Sequence, residues 1–253
     1  MEKKYKLTDE TINIYGRTLH RIKALKDFND VKKGDLGGFI EKEDNLSHKG
    51  NCWIYDNAHV CDNTHIYDNA RVYDNTYIFG NACVCGDAYV YGNACIYGNV
   101  HISGNVCVYN KARVCGNVSI CDNVHVYDKA CVSGNAFVCN NVHVYDDACV
   151  SGYAHVSGNV HIFGNVTITD RMYLSDNAYV KSLDDICYIS SFGSENMSTT
   201  FFRCIDNTIK VSRGCFLGTL GEFRDKVKET YGNSKYANEY LVIIDAVKIK
   251  FNE

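Results

Sequence analysis

Three histidines, His125, His143 and His161, follow Cys107 at eighteen-residue steps. Imidazole and thiol are the side chains that most often hold metals or move protons near neutral pH. Two residues after each stands a ring, giving Cys107/Tyr109, His125/Tyr127, His143/Tyr145 and His161/Phe163. The same spacing upstream gives Trp53/Tyr55, Arg71/Tyr73 and Tyr89/Tyr91. Rows of rings can stack bases or sugars, or anchor a protein interface. A second chemistry is offered near the C-terminus, where Ser194, Thr199, Thr200, Arg203, Lys210 and Arg213 carry the hydroxyls and cations of an anion or nucleotide site. Nothing there matches a Walker loop or dinucleotide fingerprint, so ordinary turn and strand residues are the competing reading. No catalytic residue is assigned.

The elements that position the histidines are written in a six-residue phrase: aliphatic, variable, Asp or Gly, Asn, small, variable. Its aliphatic position runs from Ile54, Val60 and Ile66 to Leu174 and Val180 without insertion or deletion. Stretches such as His125-Val126-Tyr127 alternate out, in, out, which is strand periodicity. Asp-Asn and Gly-Asn then supply corners that tolerate positive φ. Strand and corner every six residues describe a coiled parallel solenoid. Stepping by eighteen from Tyr55 meets Tyr73, Tyr91, Tyr109, Tyr127, Tyr145 and Phe163, whereas the other two sides drift to Cys and Ser. Three hexads therefore make one triangular coil. The expected fold is mainly β, a triangular solenoid over 48–185, with an N-terminal β cap (1–47) and an α+β module (186–253).

Coils stacked about 4.8 Å apart turn each column into a ladder. In-register imidazoles point the same way and stack instead of converging on a tetrahedral centre, so neither a metal nor a cofactor is expected. Stacked tyrosines stabilise a sheet by roughly 0.2–1 kcal/mol per pair, which alone would justify them. A strip seven coils long exceeds that need, and large apolar patches mark contact surfaces. The expectation is a face for a protein partner or for self-association into a dimer or trimer.

Asn51 to about Val180 resembles the hexapeptide-repeat, left-handed parallel β-helix proteins. The left hand is implied by that resemblance, since crossovers are generally right-handed. The opening GRTLHRIKALKDF…GDLGGFIEKEDNLSHKGNCWIYDNA and the tail also resemble uncharacterised bacterial and phage proteins, some labelled transferases by fold analogy. The hexapeptide resemblance implies acyl transfer from acyl-CoA through a histidine base, often beside an extruded loop and between trimer subunits. This chain extrudes no loop across its hexads, keeps its histidines within the repeat and contains no proline. A rigid scaffold or binding protein is therefore preferred, with the acyltransferase as alternative. The phage resemblance implies a mobile-element protein acting on a host defence factor in the host cytoplasm.

Net charge is −4 at neutral pH, and residues 54–180 hold eleven Asp against five Lys and Arg. That acidic body argues against direct nucleic-acid binding, although it would suit a mimic of nucleic acid. Ice binding would call for Thr-x-Thr rows, and only Thr167-Ile168-Thr169 occurs. No apolar run reaches membrane-spanning length, and MEKKYKLTDE lacks a secretory apolar core, so the cytoplasm is expected. Fourteen cysteines without a CxxC pair read as reduced packing and surface thiols. In the cap, short strands are expected at 5–7, 12–15 and 19–25. In the tail, strands are expected at 186–190, 199–203 and 208–211. A helix should open at the Thr219–Glu222 capping box and a second after Ser234.

Overall fold

The computed structural model describes residues 2–253. The solenoid follows from its corners. The third residue of each hexad lies in the left-handed region, at φ of 49–68° for corner Asp and Asn from Asp56 to Asp176. These residue types bear that conformation at low cost, and glycine takes the rest. A corner aspartate also returns a hydrogen bond: the Asp62 and Asp146 carboxylates accept from the amides of Gly80 and Gly164, one coil on, at 3.0 Å. At Gly98, with φ +93°, a Cβ would lie 2.8 Å from the Gly116 carbonyl oxygen, so no other residue fits.

Between corners, two- to four-residue strands pair in parallel with the strand eighteen residues away, as in Tyr89↔Cys107 and His125↔His143. They stack into three faces. One has eight strands, from Trp53–Ile54 to Tyr179–Val180, and carries the Tyr and His columns. A second has seven, from His65–Ile66 to Tyr173–Leu174. The third merges with the cap: β1 (Tyr5–Ile14), β2 (Arg17–Ala24) and β3 (Leu36–Ile40) pair antiparallel, and β3 then pairs in parallel with His59–Val60. The inward aliphatics, such as Val72, Val90, Val108 and Val126, are 0% exposed. Each coil thus rests on a copy of its own core.

β1 runs unbroken where two short strands were expected, and a register shift between Leu7 and Thr11 accounts for the polar interruption. The cap is seated by the Tyr5 hydroxyl, whose single proton is shared between the carbonyls of Glu43 (2.7 Å) and Leu46 (2.8 Å). Buried Lys4 donates to the Cys52 carbonyl at 2.8 Å.

At the other end, strands Ile186–Phe192, Met197–Arg203, Ile209–Arg213 and Phe216–Thr219 form an antiparallel sheet. The last was not expected, because a four-residue run containing Gly218 shows no alternation. Helices α1 (Leu220–Tyr231) and α2 (Lys235–Phe251) follow, with the Thr219–Glu222 capping box and Ser234 cap in place. Ile186, Phe202 and Cys204 continue the solenoid core, while Phe201, Val211, Phe223, Tyr240 and Ile244 belong to a separate one. Among the described residues no helix is long and apolar enough to cross a membrane.

Candidate functional site

Strict register produces two ring stacks side by side on the eight-stranded face. Tyr91, Tyr109, Tyr127, Tyr145 and Phe163 stack at centroid spacings of 4.8, 4.9, 5.0 and 4.9 Å, with planes within 4° of parallel. His125, His143 and His161 stack at 4.7 and 4.8 Å. The two columns meet edge to face, His143 on Tyr127 and His161 on Tyr145, at 6.3 Å and 89°. That is the arrangement ring quadrupoles favour. Burial pushes all three imidazoles below their usual pKa, and His143 is lowered further by its two histidine neighbours. Burial pushes the Tyr127 phenol up to about 12. Both columns are therefore uncharged at neutral pH, a flat aromatic strip bordered by the Asp128, Asp146 and Asp147 corner.

The strip is shorter than the sequence implied. Trp53, expected on the outward face, is 1% exposed and packs against Phe28 (5.4 Å) and Tyr5 (6.1 Å). Its column does point out of the coil, but the cap folds over it. Tyr55 donates to Asp30 at 2.9 Å and stacks on Tyr73 at 4.2 Å, while the Arg71 guanidinium sits 5.5 Å above the Tyr89 ring. Phe163 is 9% exposed, with Tyr179 edge-on at 4.8 Å. The continuous open part runs from Tyr91 to His161.

The C-terminal residues do not converge. Arg213 is buried and donates to the carbonyls of Met197 (2.8 Å) and Phe192 (3.1 Å) and to the Thr199 hydroxyl (2.9 Å), against the rings of Phe192 and Tyr240. Arg203 pairs with Asp185 at 3.2 Å and with the Phe251 carbonyl, and Lys210 with Asp176. Thr199 and Thr200 are buried, the latter accepting from the Tyr173 amide, and Ser194 bonds the Tyr231 hydroxyl at 2.9 Å. Each cation binds its own fold.

Several features escaped the sequence reading. Asparagine amides run down two corners: Asn81 to Asn99 to Asn117 to Asn135 at 2.7–3.0 Å, and Asn105 to Asn123 to Asn141 to Asn159 at 2.9–3.2 Å. On the seven-stranded face Phe137, His155 and Tyr173 stack at 4.9 and 4.5 Å. A groove of about 510 Å³ between cap and solenoid is lined by Glu43, Asp44, His48, His65, Tyr67 and Cys83. In it, His48 Nδ1 accepts from the Lys4 amide at 3.2 Å, so neutral His48 carries its proton on Nε2, 4.0 Å from the Glu43 carboxylate. That tautomer is a donor, not a ready base.

No family model matches the chain. A stretch of 42 residues, 17% of this chain, is 50% identical to a protein named Uncharacterized acetyltransferase YdcK of Escherichia coli (strain K12). The match spans 13% of that protein's length.

Proposed function

We propose that this chain is a non-enzymatic rigid scaffold that uses the strip from Tyr91 to His161 for assembly or partner binding. The observation carrying this reading is the double stack itself: uncharged, flat and half-buried rings on a parallel ladder. A preformed aromatic surface binds with little ordering cost, and tyrosines are favoured interface anchors. A base for acyl transfer needs an acceptor that fixes its ring. The strip histidines are held by stacking instead. The resemblance to phage-borne chains points to a host factor as partner.

The test compares the protein with a Tyr91→Ser, Tyr109→Ser, Tyr127→Ser variant, both confirmed folded. Solution mass and partner capture from host lysate are measured on each. A dimer, trimer or captured partner lost only in the variant supports the reading, and identical behaviour of the two sinks it.

The short match to an acetyltransferase-named protein favours acyl transfer from acyl-CoA as the second reading. Saturating acetyl-CoA should then raise the melting temperature, as any ligand selective for the native state does. A scaffold shows no such rise.

A further inference from the structure

We propose that Cys121, Asp122 and Cys139 form a binding site for a thiophilic divalent cation of the zinc class. The two thiol sulfurs and a carboxylate oxygen all lie within 4.8 Å of one another. Tetrahedral zinc, with metal–sulfur bonds of about 2.3 Å and metal–oxygen bonds of about 2.1 Å, sets such donors roughly 3.5–3.8 Å apart. Closure therefore needs donor shifts on the order of an ångström, within reach of side-chain rotation.

In-register ladders argue against metal sites because their side chains run parallel. This cluster avoids that objection by drawing on two columns. Cys121 and Cys139 are outward residues of successive coils, in the column of Ser103 and Ser157. Asp122 is the neighbouring corner, with φ 65°. Its carboxylate departs from the habit of Asp62, Asp74 and Asp146, each of which accepts from an amide one coil on. Among the described residues Asp122 accepts no such bond. No Lys or Arg occupies the adjoining columns at 103–105, 121–123, 139–141 and 157–159. One supporting donor is in place, since the Asn140 side-chain amide lies 3.5 Å from Cys139 Sγ. Polar donors around ligating groups hold them in orientation.

Two comparable clusters lack these properties. Glu41, Cys61 and Asp62 are as close together, but Asp62 pairs with Arg17 at 2.6 Å and Glu41 accepts the Asp62 amide at 2.6 Å. Cys131 and Cys149 pair in register, but their column holds Arg113 and their corners are Gly134 and Gly152. Soft thiolates with one carboxylate select zinc-like ions over magnesium or calcium. On binding, the two thiols release their protons to buffer while three protein donors fill three of four positions, the last facing solvent beside exposed Asp122.

The reduced full-length protein is titrated with Co2+, which reports tetrahedral thiolate ligation through its visible d–d bands and sulfur-to-metal charge-transfer absorption. One equivalent should saturate these bands, and Zn2+ should displace it. Cys121→Ser with Cys139→Ser should abolish them, in a column where Ser103 and Ser157 show that serine fits. Asp122→Asn should weaken binding at least about tenfold. Cys131→Ser with Cys149→Ser should leave the titration unchanged. Retention of the bands in the first double variant, their loss in the second, or indifference to Asp122→Asn would each overturn the site in favour of general binding by surface thiols.

Discussion

The solenoid and the C-terminal module solve one problem, satisfying polar groups, in opposite ways. In the solenoid a polar side chain finds its own image one coil away: asparagine amides bond asparagine amides, and histidines stack on histidines. In the module a polar side chain is satisfied by unlike groups particular to its place, and Arg213 ties together the Phe192 and Met197 carbonyls and the Thr199 hydroxyl. Repetition distributes an interaction over many equivalent contacts. A setting particular to one place concentrates it at one residue.

The sharpest contrast should come from single alanines. Arg213→Ala strips a donor from three acceptors in a nearly dry site, where each unpaired group costs roughly 1–3 kcal/mol. It should destabilise the module by about 4 kcal/mol, read from urea unfolding followed by the helical circular dichroism of α1 and α2. A loss below about 1 kcal/mol would break the contrast.

Asn117→Ala should cost much less, about 1 kcal/mol, because Asn117 is exposed and gives up only one bond to each neighbour. Hydrogen exchange should find the opening confined to the adjoining coils, as expected of an array with nearest-neighbour coupling. Exchange rising equally along the whole solenoid would count against it.

Mild acid should separate the regions most gently. His48, His59, His125, His143, His155 and His161 all have pKa values lowered by burial, and residues 186–253 contain no histidine. For a base lowered in the folded state, the unfolded chain takes up protons first. Stability is therefore complete above the unfolded value of about 6.5 and falls as pH drops through the folded values. Glu222, held below its usual range by hydrogen bonds from Thr219, keeps the module's cap charged through that interval. Exchange at about pH 5 against about pH 7.5 should show loosened coils and an unchanged module. Equal loosening of both would remove the assigned role of the histidines.

The same contrast explains what could be read in advance. The hexad carried the coils, the corners and the Tyr and His columns because each position repeats, so local types state the outcome many times over. Trp53 was misplaced because its column faces outward everywhere else, and only contacts from Phe28 and Tyr5, distant in sequence, reverse that. Arg203, Lys210 and Arg213 carry the types of an anion site, and types alone do not distinguish an external phosphate from the chain's own carbonyls. The asparagine ladders were written at the same eighteen-residue step as the tyrosines, yet positive φ already accounted for Asn and Asp at corners. Cys121, Asp122 and Cys139 meet only when two columns are superimposed on the triangular cross-section.

An unbroken register also makes the molecule a graduated rod. Tyr91, Tyr109, Tyr127 and Tyr145 mark it at 4.8–5.0 Å intervals. Its length changes cleanly only in whole turns: excising eighteen residues removes one graduation and returns every downstream ladder to alignment. Excising six would keep the hexad grammar intact yet rotate all that follows by a third of a turn, setting cysteines and serines beneath tyrosines. Drift in this family of shapes is therefore quantised, by length along the axis and by angle around it.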